Sequence, residues 1–564
     1  MSERILIGVA WPYANGPLHL GHITGAYLPA DVFARYHRLK GNDVLMVSGS
    51  DQHGAPITIR AEQESTTPQE VAAKYHRQFV DCWGKLGISF DLFTTTGTVN
   101  HAQVTHEIFL TLLDKGYIYK DKMLQAYCPK CRRFLADRYL EGTCPYCGFI
   151  KARGDECDEC GKPLTPSELN ELHCYLCSTP PRFESSEHFF LRLSAFEDKL
   201  AAWIKEQAHW RRHVLSTTWK FLDEGLRDRA ITRDLDWGIT VPQSGFERKR
   251  IYVWFEAVIG YLSASKEWAK LHGDDTAWRA FWQEDAKSFY FIGKDNIFFH
   301  TLIWPAMLMG YGGLNLPYNV PANEFLTIEG KKLSTSRGWA IWLHDYLERY
   351  APDALRYTLL ANMPETGDSD FSWREFLRRN NNELVATYGN LAHRVLTFAH
   401  RHFHGIVPAP GELNEQSQHL LHEAEVTLDG VDRLLYRCEF KAALKEAMSL
   451  AQGANRYLDE QAPWKTIKTE VSPDKFETAK SVYTVLSVLA ALKTVFYPFL
   501  PFSSEELHSF LGFDGSVKEG GWKIQVLPPG QKLGQPRPLF VKLDEDIVAE
   551  ETSRLSFLEE NQGI

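Results

Sequence analysis

Ile5-Leu-Ile-Gly-Val9-Ala-Trp11-Pro-Tyr13-Ala-Asn-Gly-Pro17-Leu-His19-Leu-Gly21-His22 is the stretch that decides the fold. Ile5 to Val9 is a continuous apolar run of the kind buried on both faces of a parallel sheet. Pro12 to Pro17 is loop chemistry. From His19 to Lys40 the apolar positions recur at helical spacing, and Gly41 stops them. A second apolar run, Val44 to Val47, leads into Gly49-Ser-Asp51. Strand, helix and strand make one βαβ unit, and such units build doubly wound sheets that take ligands beyond their carboxyl ends. Strand signals return at Ile251 to Trp254 and at Phe289 to Ile292, so a long insertion is expected between two halves of one nucleotide-binding sheet. From about Trp373 the chain turns to long amphipathic helices, with no strand-like alternation until the tail at Leu539. The fold class is therefore α/β: a split Rossmann-type parallel sheet with an insertion, followed by an all-α helical bundle.

Composition agrees. At about 150 residues per domain, 564 residues predict about three to four domains. The 13% aromatic content, with 16 Trp, demands burial and excludes low-complexity disorder. Sixty-two basic against 72 acidic side chains give −10, which excludes a generally cationic nucleic-acid coat but leaves room for a local basic stripe. Glu3 and Pro12 bracket too short an apolar run for a secretory signal. The most membrane-like stretch, Ser481 to Phe502, is broken by Lys493 and two prolines and reads as a buried bundle helix followed by a turn. A cytosolic protein with no membrane partner is expected.

Eight of the ten cysteines lie in one window, as Cys128-Pro-Lys-Cys131, Cys144-Pro-Tyr-Cys147, Cys157-Asp-Glu-Cys160 and Cys174-Tyr-Leu-Cys177. In a reducing cytosol four such pairs are not disulfides. A C-x-x-C turn presents two thiolates to one tetrahedral ion, and two turns complete a Cys₄ site, so two structural Zn²⁺ ions are expected. Gly148 and Gly161 follow two of the pairs and suit the tight turns. The competing readings are a redox C-x-x-C, or one intact site beside a degenerate one. Four thiolates leave no open position for catalysis. Cys82 and Cys438 are isolated and read as core.

His19 and His22, three apart at a helix start just after a strand, project from one face of the first turn. The positive end of the helix dipole adds to their donors, and a triphosphate can lie there. Gly21 removes the side chain that would block a nucleotide ring.

With His19-Leu-Gly-His22 as first signature, the sequence resembles the class I aminoacyl-tRNA synthetases, and among them the methionyl-tRNA synthetases. The likeness rests on Ala10-Trp-Pro-Tyr-Ala-Asn-Gly16, Asp51-Gln-His-Gly54, Tyr252-Val-Trp-Phe-Glu-Ala257, Gly293-Lys-Asp295, Phe299-His300, Trp304-Pro-Ala306, Asn390-Leu-Ala-His-Arg394 and Asp459-Glu-Gln-Ala-Pro-Trp464. These fall in the family's order over most of the chain. The four knuckles and Lys331-Lys-Leu-Ser-Thr-Ser-Arg337 look more like the archaeal-type branch. Spacing alone favours consecutive knuckles sharing an ion. The resemblance implies instead a nested pairing, with Cys144, Cys147, Cys157 and Cys160 on one zinc and Cys128, Cys131, Cys174 and Cys177 on the other.

The resemblance also implies the activity. ATP, with Mg²⁺, activates L-methionine to methionyl-adenylate and pyrophosphate. The methionyl group then passes to the 3′-terminal adenosine of tRNA(Met), for initiation and elongation. By the family's pattern His19, His22 and Lys332 are catalytic. Gly21, Gly293, Asp295, Ser334, Thr335 and Ser336 join them around ATP. Methionine is bound by Trp11, Tyr13, Asp51, Trp254, Ala257, Tyr261, His300 and Trp304, with Asp51 on the ammonium. An aromatic box suits a polarizable thioether. Trp11 and Val258 stand where bacterial relatives often carry leucine and proline. Asn390, Arg394 and Trp464 read the CAU anticodon. The implied layout is residues 1–117 and 226–322 as the two sheet halves, 118–225 as the zinc insertion, 323–375 as the KLSTS loop and stem-contact region, 376–540 as the anticodon bundle and 541–564 as a tail, in a monomer.

One departure matters. The family's second signature carries two lysines, and here Thr335 replaces the second. Lys331, Lys332 and Arg337 keep three charges nearby, and Lys332 is expected to carry most of the role. Arg374, Arg378, Arg379, Arg394 and Arg401, against two acids, make a local +3 stripe that can meet tRNA. The rival readings are a zinc-stabilised RNA-binding protein without catalysis, resting on the lost lysine, and a small-molecule nucleotidyltransferase, which needs no RNA arm.

Overall fold

A computed structural model describes residues 2–154, 157, 159–160, 164, 168–283, 285–335, 338–467 and 473–561. Five strands form a wholly parallel sheet: β1 (Arg4–Val9), β2 (Asp43–Ser50), β3 (Leu92–Thr95), β4 (Lys287–Gly293) and β5 (Ala322–Asn323). Their spatial order is β5-β4-β1-β2-β3. Ile7 of β1 lies beside Phe289 of β4 on one side and Met46 of β2 on the other. Both neighbours are apolar because both faces of the sheet are covered. One face joins a core that runs without a break into the helical bundle, and the other packs on helices Val99–Asp114 and Val253–Leu271.

The helix after β1 starts at Leu20–His22, passes through a π-helical segment Ile23–Tyr27 and continues as Leu28–Leu39. Gly41, at φ 76°, reverses the chain into β2. The strand expected at Ile251 to Trp254 is not there. Only Arg250–Ile251 pairs, with Thr232–Arg233, and a helix starts at Val253. The run from Val253 to Leu271 is buried on nearly every side of its first turns, and period alone cannot separate such a helix from a buried strand.

The insertion leaves the sheet half along strand Ile118–Cys128 and returns along Arg182–Leu191, paired antiparallel from Ile118 opposite Leu191 to Tyr127 opposite Arg182. Beyond it a small three-stranded sheet joins Ala152–Arg153, Leu140–Thr143 and Asn170–Cys174. The bundle is built from Asn390–His402, Glu415–Tyr436, Phe440–Gln461, Pro473–Phe496 and Pro501–Phe510. Lys475–Phe496 is the one described helix long and apolar enough to cross a membrane, and it lies inside the bundle, with Lys493 donating to Gln525.

Bundle and sheet are pinned by a buried ion pair. Arg356, fully buried, donates from Nη2 to Asp31 Oδ2 at 2.7 Å and Pro498 O at 2.9 Å, and from Nε to Phe499 O at 2.8 Å. Burial alone would raise the Asp31 carboxyl, but Arg35, Arg356 and Ser89 together hold it at about 2. The tail also docks. Helix Asp546–Asn561 sets the buried Glu551 in a two-pronged pair with Arg349, 2.9 Å on each arm, and Tyr350 donates to it at 2.8 Å. The segment before it is coil, not strand, held where Asn380 and Asn381 donate to Val541 O and Leu543 O.

Arg356→Met leaves Asp31 with Arg35 and Ser89 but strands the carbonyls of Leu86, Pro498 and Phe499, so it is expected to cost about 3 kcal/mol in urea unfolding. Arg38→Met, which breaks a partly exposed pair with Asp91, should cost under about 1 kcal/mol.

Candidate active site and metal clusters

Strand order reverses between β1 and β4, so the loops that follow them diverge and leave a crevice at the carboxyl ends of the strands. A cavity of about 580 Å³ occupies it. Trp11 and Tyr13 come from the loop after β1, Asp51 from the end of β2, and Trp254, Ala257 and Tyr261 from the first turns of the Val253–Leu271 helix. Gly293 ends β4, Asp295 follows it, and His300 comes from the next helical turn. His19, Gly21, His22 and Lys332 close the other end.

The aromatic end is tightly specified. Tyr13 meets Trp254 edge to face, with centroids 6.1 Å apart, and Trp254 stacks on Phe299 at 4.5 Å. His300 Nδ1 lies 2.9 Å from Asn296 O, so that nitrogen carries the proton and Nε2 accepts from the Tyr261 hydroxyl at 2.8 Å. Burial lowers His300 to about 4, and the ring is neutral. The Trp11 indole slides between two glycines: a Cβ at Gly49 would stand 2.2 Å from it and one at Gly260 2.6 Å. Neither glycine's role is visible in the sequence, because the need for it arises only where two elements meet. Trp304 does not reach the cavity. It is fully buried behind the wall, edge-on to Trp282.

At the opposite end the His19 and His22 rings stack at 3.7 Å, and the His19 backbone N–H donates to His22 Nδ1. His22 therefore keeps its proton on Nε2. Burial lowers both rings, His22 to about 4, and the neighbouring His22 depresses His19 further. They present neutral N–H donors rather than two cations. A Cβ at Gly21 would press on the His19 ring at 3.1 Å and on Leu333 at 3.3 Å. Asp295, raised by burial, faces the same end.

Lys331–Lys332 forms a hairpin with Leu326–Ile328. Lys332 lines the cavity, whereas Lys331 covers the Trp339 ring at 4.1 Å. Ser334 pairs with Trp339 beside the hairpin and, like Thr335, is off the cavity wall. Ser336 and Arg337 lie outside the described residues. Lys294, the middle residue of Gly293-Lys-Asp295, ties Glu324 at 2.6 Å to Asp368 at 2.8 Å, and both carboxylates line the cavity.

The eight cysteines form two groups: Cys128, Cys131, Cys174 and Cys177, and Cys144, Cys147, Cys157 and Cys160. The nested pairing holds. Its cause is the long hairpin, whose outgoing leg ends at Cys128 while Cys174 and Cys177 precede the returning leg. Facing sulfurs stand 3.4, 4.0, 3.9 and 3.6 Å apart. A tetrahedral ion with 2.3 Å bonds needs about 3.8 Å, so each group can hold one metal. Gly148, at φ 76°, makes one of the expected turns, and Gly161 lies outside the described residues.

In the bundle, a second cavity of about 450 Å³ is lined by Arg394, Phe398, Arg401, His402 and Trp464. The Arg394 guanidinium lies 4.8 Å over the Trp464 ring and 3.2 Å from Asp459. Asn390 is exposed one turn before Arg394 on the same helix. The +3 stripe is not continuous. Arg378 and Arg379 are bound to Glu375 and Glu383, the two acids of that segment, so their charges are locally compensated.

Residues 5–396 match the family model described as tRNA synthetases class I (M), and residues 407–560 match the anticodon binding domain of methionyl tRNA ligase. The methionine–tRNA ligase of Dehalococcoides mccartyi is 59% identical over 555 residues, 98% of this chain and 100% of that protein. That of Roseiflexus castenholzii is 52% identical over 591 residues, covering 98% and 99%. Mycobacterium tuberculosis methionyl-tRNA synthetase in complex with methionyl-adenylate superposes with TM-score 0.80 at 27% identity, covering 96% of this chain and 100% of that one.

Cys144→Ser is expected to lower bound metal from two equivalents per chain to one, read by atomic emission on dialysed protein. Retention of both equivalents would refute the grouping.

Proposed function

The chain belongs to the methionyl-tRNA synthetase family of class I aminoacyl-tRNA synthetases, and from that membership we propose the part each residue of the crevice takes. The reaction activates L-methionine with ATP to methionyl-adenylate and pyrophosphate, then transfers the methionyl group to tRNA(Met). The observation that carries the assignment of roles is a single cavity with a buried carboxylate, an aromatic end and a helix-start histidine pair all on its wall.

Asp51 takes the substrate ammonium, and the thioether lies among Trp11, Tyr13, Trp254, Ala257, Tyr261 and His300, with Trp304 backing the wall. The methionine carboxylate then attacks the α-phosphorus of MgATP, and pyrophosphate leaves. Little covalent work falls to the protein, so positioning and charge stabilisation carry the rate. His19 and His22 donate neutral N–H groups to the phosphates, Gly21 keeps the approach clear, and Gly293 and Asp295 hold the nucleoside. Lys332 meets the departing pyrophosphate from its hairpin, with Ser334, Thr335 and Ser336 as donors. In the second step the terminal ribose hydroxyl attacks the activated carbonyl and AMP leaves.

The thiolate groups would each hold a structural Zn²⁺, an ion that four sulfurs at these separations suit and that fixes the insertion without entering the chemistry. Asn390, Arg394 and Trp464 read CAU at the bundle cavity, by stacking unpaired bases on the indole and guanidinium. Eight free thiols in two clusters fit a cytosolic location, and the proposed state is a monomer.

Methionine-dependent ATP–pyrophosphate exchange tests the catalytic reading. Lys332→Ala should slow it about 100-fold, as loss of one charge-stabilising donor does; an unchanged rate would refute the role of Lys332. Trp464→Ala should lower charging of tRNA(Met) about 10- to 100-fold through lost stacking while exchange stays near wild type. Equal loss in both reactions would remove Trp464 from the anticodon site.

A further inference from the structure

The helix that walls the aromatic end carries a carboxylate on its far side. Trp254, Ala257, Val258 and Tyr261 of that helix face the cavity, but Glu256 is fully buried away from it. Oε1 of Glu256 lies 2.7 Å from His53 Nδ1, and Oε2 lies 2.9 Å from His101 Nε2. The second nitrogen of His101 meets Ser263 Oγ at 2.8 Å, back on the same helix. On the other side, the backbone N–H of His53 donates to Asp51 Oδ1 at 3.1 Å, and Thr96 Oγ1 adds a longer contact at 3.4 Å. A continuous polar chain thus runs from the cavity wall at Asp51 through His53 and Glu256 to His101, within an otherwise apolar layer.

Apolar side chains in place of the whole His53–Glu256–His101 set could pack there without the cost of burying a charge, since a buried carboxylate is tolerated only when fully partnered. The presence of the set calls for a gain elsewhere. Two physical consequences of the geometry supply one. The His53–Glu256 bond ties the Asp51–Gly54 turn to the wall helix, so the carboxylate that meets the substrate and the wall that meets its side chain move as one body. Glu256 also adds negative charge behind Asp51. Burial and then Glu256 raise the Asp51 carboxyl, whereas burial of His53 is outweighed by its carboxylate neighbours, which raise it. A cation arriving at Asp51 completes the charge balance of the chain.

We propose that Glu256, acting through His53, is a positioning residue for the substrate amine, making the cavity select a zwitterionic amino acid over the same molecule without its amino group. This rests on Asp51 being the ammonium site. The test compares binding of L-methionine with binding of 4-(methylthio)butanoate, its deaminated analogue, followed by quenching of cavity tryptophan fluorescence in the full-length protein. Glu256→Gln keeps shape and loses charge. It should weaken methionine about tenfold, the scale of a buried hydrogen bond to a charged group, and leave the analogue within about twofold. His53→Gln keeps the backbone donor to Asp51 but cuts the link, and should show the same selective loss if Glu256→Gln does not fold. Equal weakening of both ligands, or of neither, in a folded variant would overturn the proposal. Asp51→Asn separates the two levels. If it leaves the methionine-to-analogue ratio unchanged, the ammonium reading itself fails; if it collapses the ratio while Glu256→Gln does not, only the role of Glu256 fails.

Discussion

The pairing of β1 with β4 is the constraint from which the rest of the structure follows. The two strands lie side by side in parallel, with Val9 opposite Phe291, although the whole insertion separates them in sequence. Their following loops must diverge, because β1 connects onward to one side of the sheet and β4 to the other. The gap between those loops is the crevice, and it receives the start of the first helix, the turn after β2 and the turn after β4 together. Because the chain must come back to β4, the insertion has to return to the point it left. An antiparallel hairpin is the short solution, and it brings the outer two cysteine knuckles together and leaves the inner two to each other.

Charge is used sparingly in this frame. At the histidine end of the crevice His19 and His22 are kept neutral by burial, so donors are offered without adding fixed cations. Three buried carboxylates are each multiply partnered: Asp31 with Arg35 and Arg356, Glu551 with Arg349 and Tyr350, Glu256 with His53 and His101. Each of these joins elements distant in sequence. The Asp31–Arg356 pair lies between sheet and bundle and sets how the bundle cavity stands relative to the crevice. The Glu551 pair fastens the C-terminal helix beside the segment leading out of the KLSTS loop, where Leu343 and Ile341 are hydrogen-bonded to Leu18 and Leu20 next to His19.

Local patterns were legible wherever one element decides its own shape. Ile5 to Val9, the helix from Leu20 and the strand ending at Ser50 could be read because apolar run, loop residues and Gly41 agree. The misreadings have physical causes. Ile251 to Trp254 resembles a strand because a helix buried on all sides has no polar period to reveal it. The +3 of the arginine segment already counts Glu375 and Glu383, but sequence does not show that these acids sit on Arg378 and Arg379 and so break the stripe. Trp304 sits near other pocket motifs in the chain, yet its direction on the helix takes it to Trp282.

Sequence by itself determined the nucleotide-binding βαβ start, the presence of metal-binding cysteine turns, the helical second half and, by resemblance, the chemistry of the family. These rest on short-range periodicity and on residue types whose reactivity does not depend on distant partners. Tertiary structure showed why the thiols group as the resemblance implies, and it alone decided which arginines sit on Glu375 and Glu383, why Gly49 and Gly260 must lack side chains, and that Glu256 stands behind Asp51. All four depend on which distant segments meet, and that is set by packing and burial of the assembled core rather than by any window of the chain.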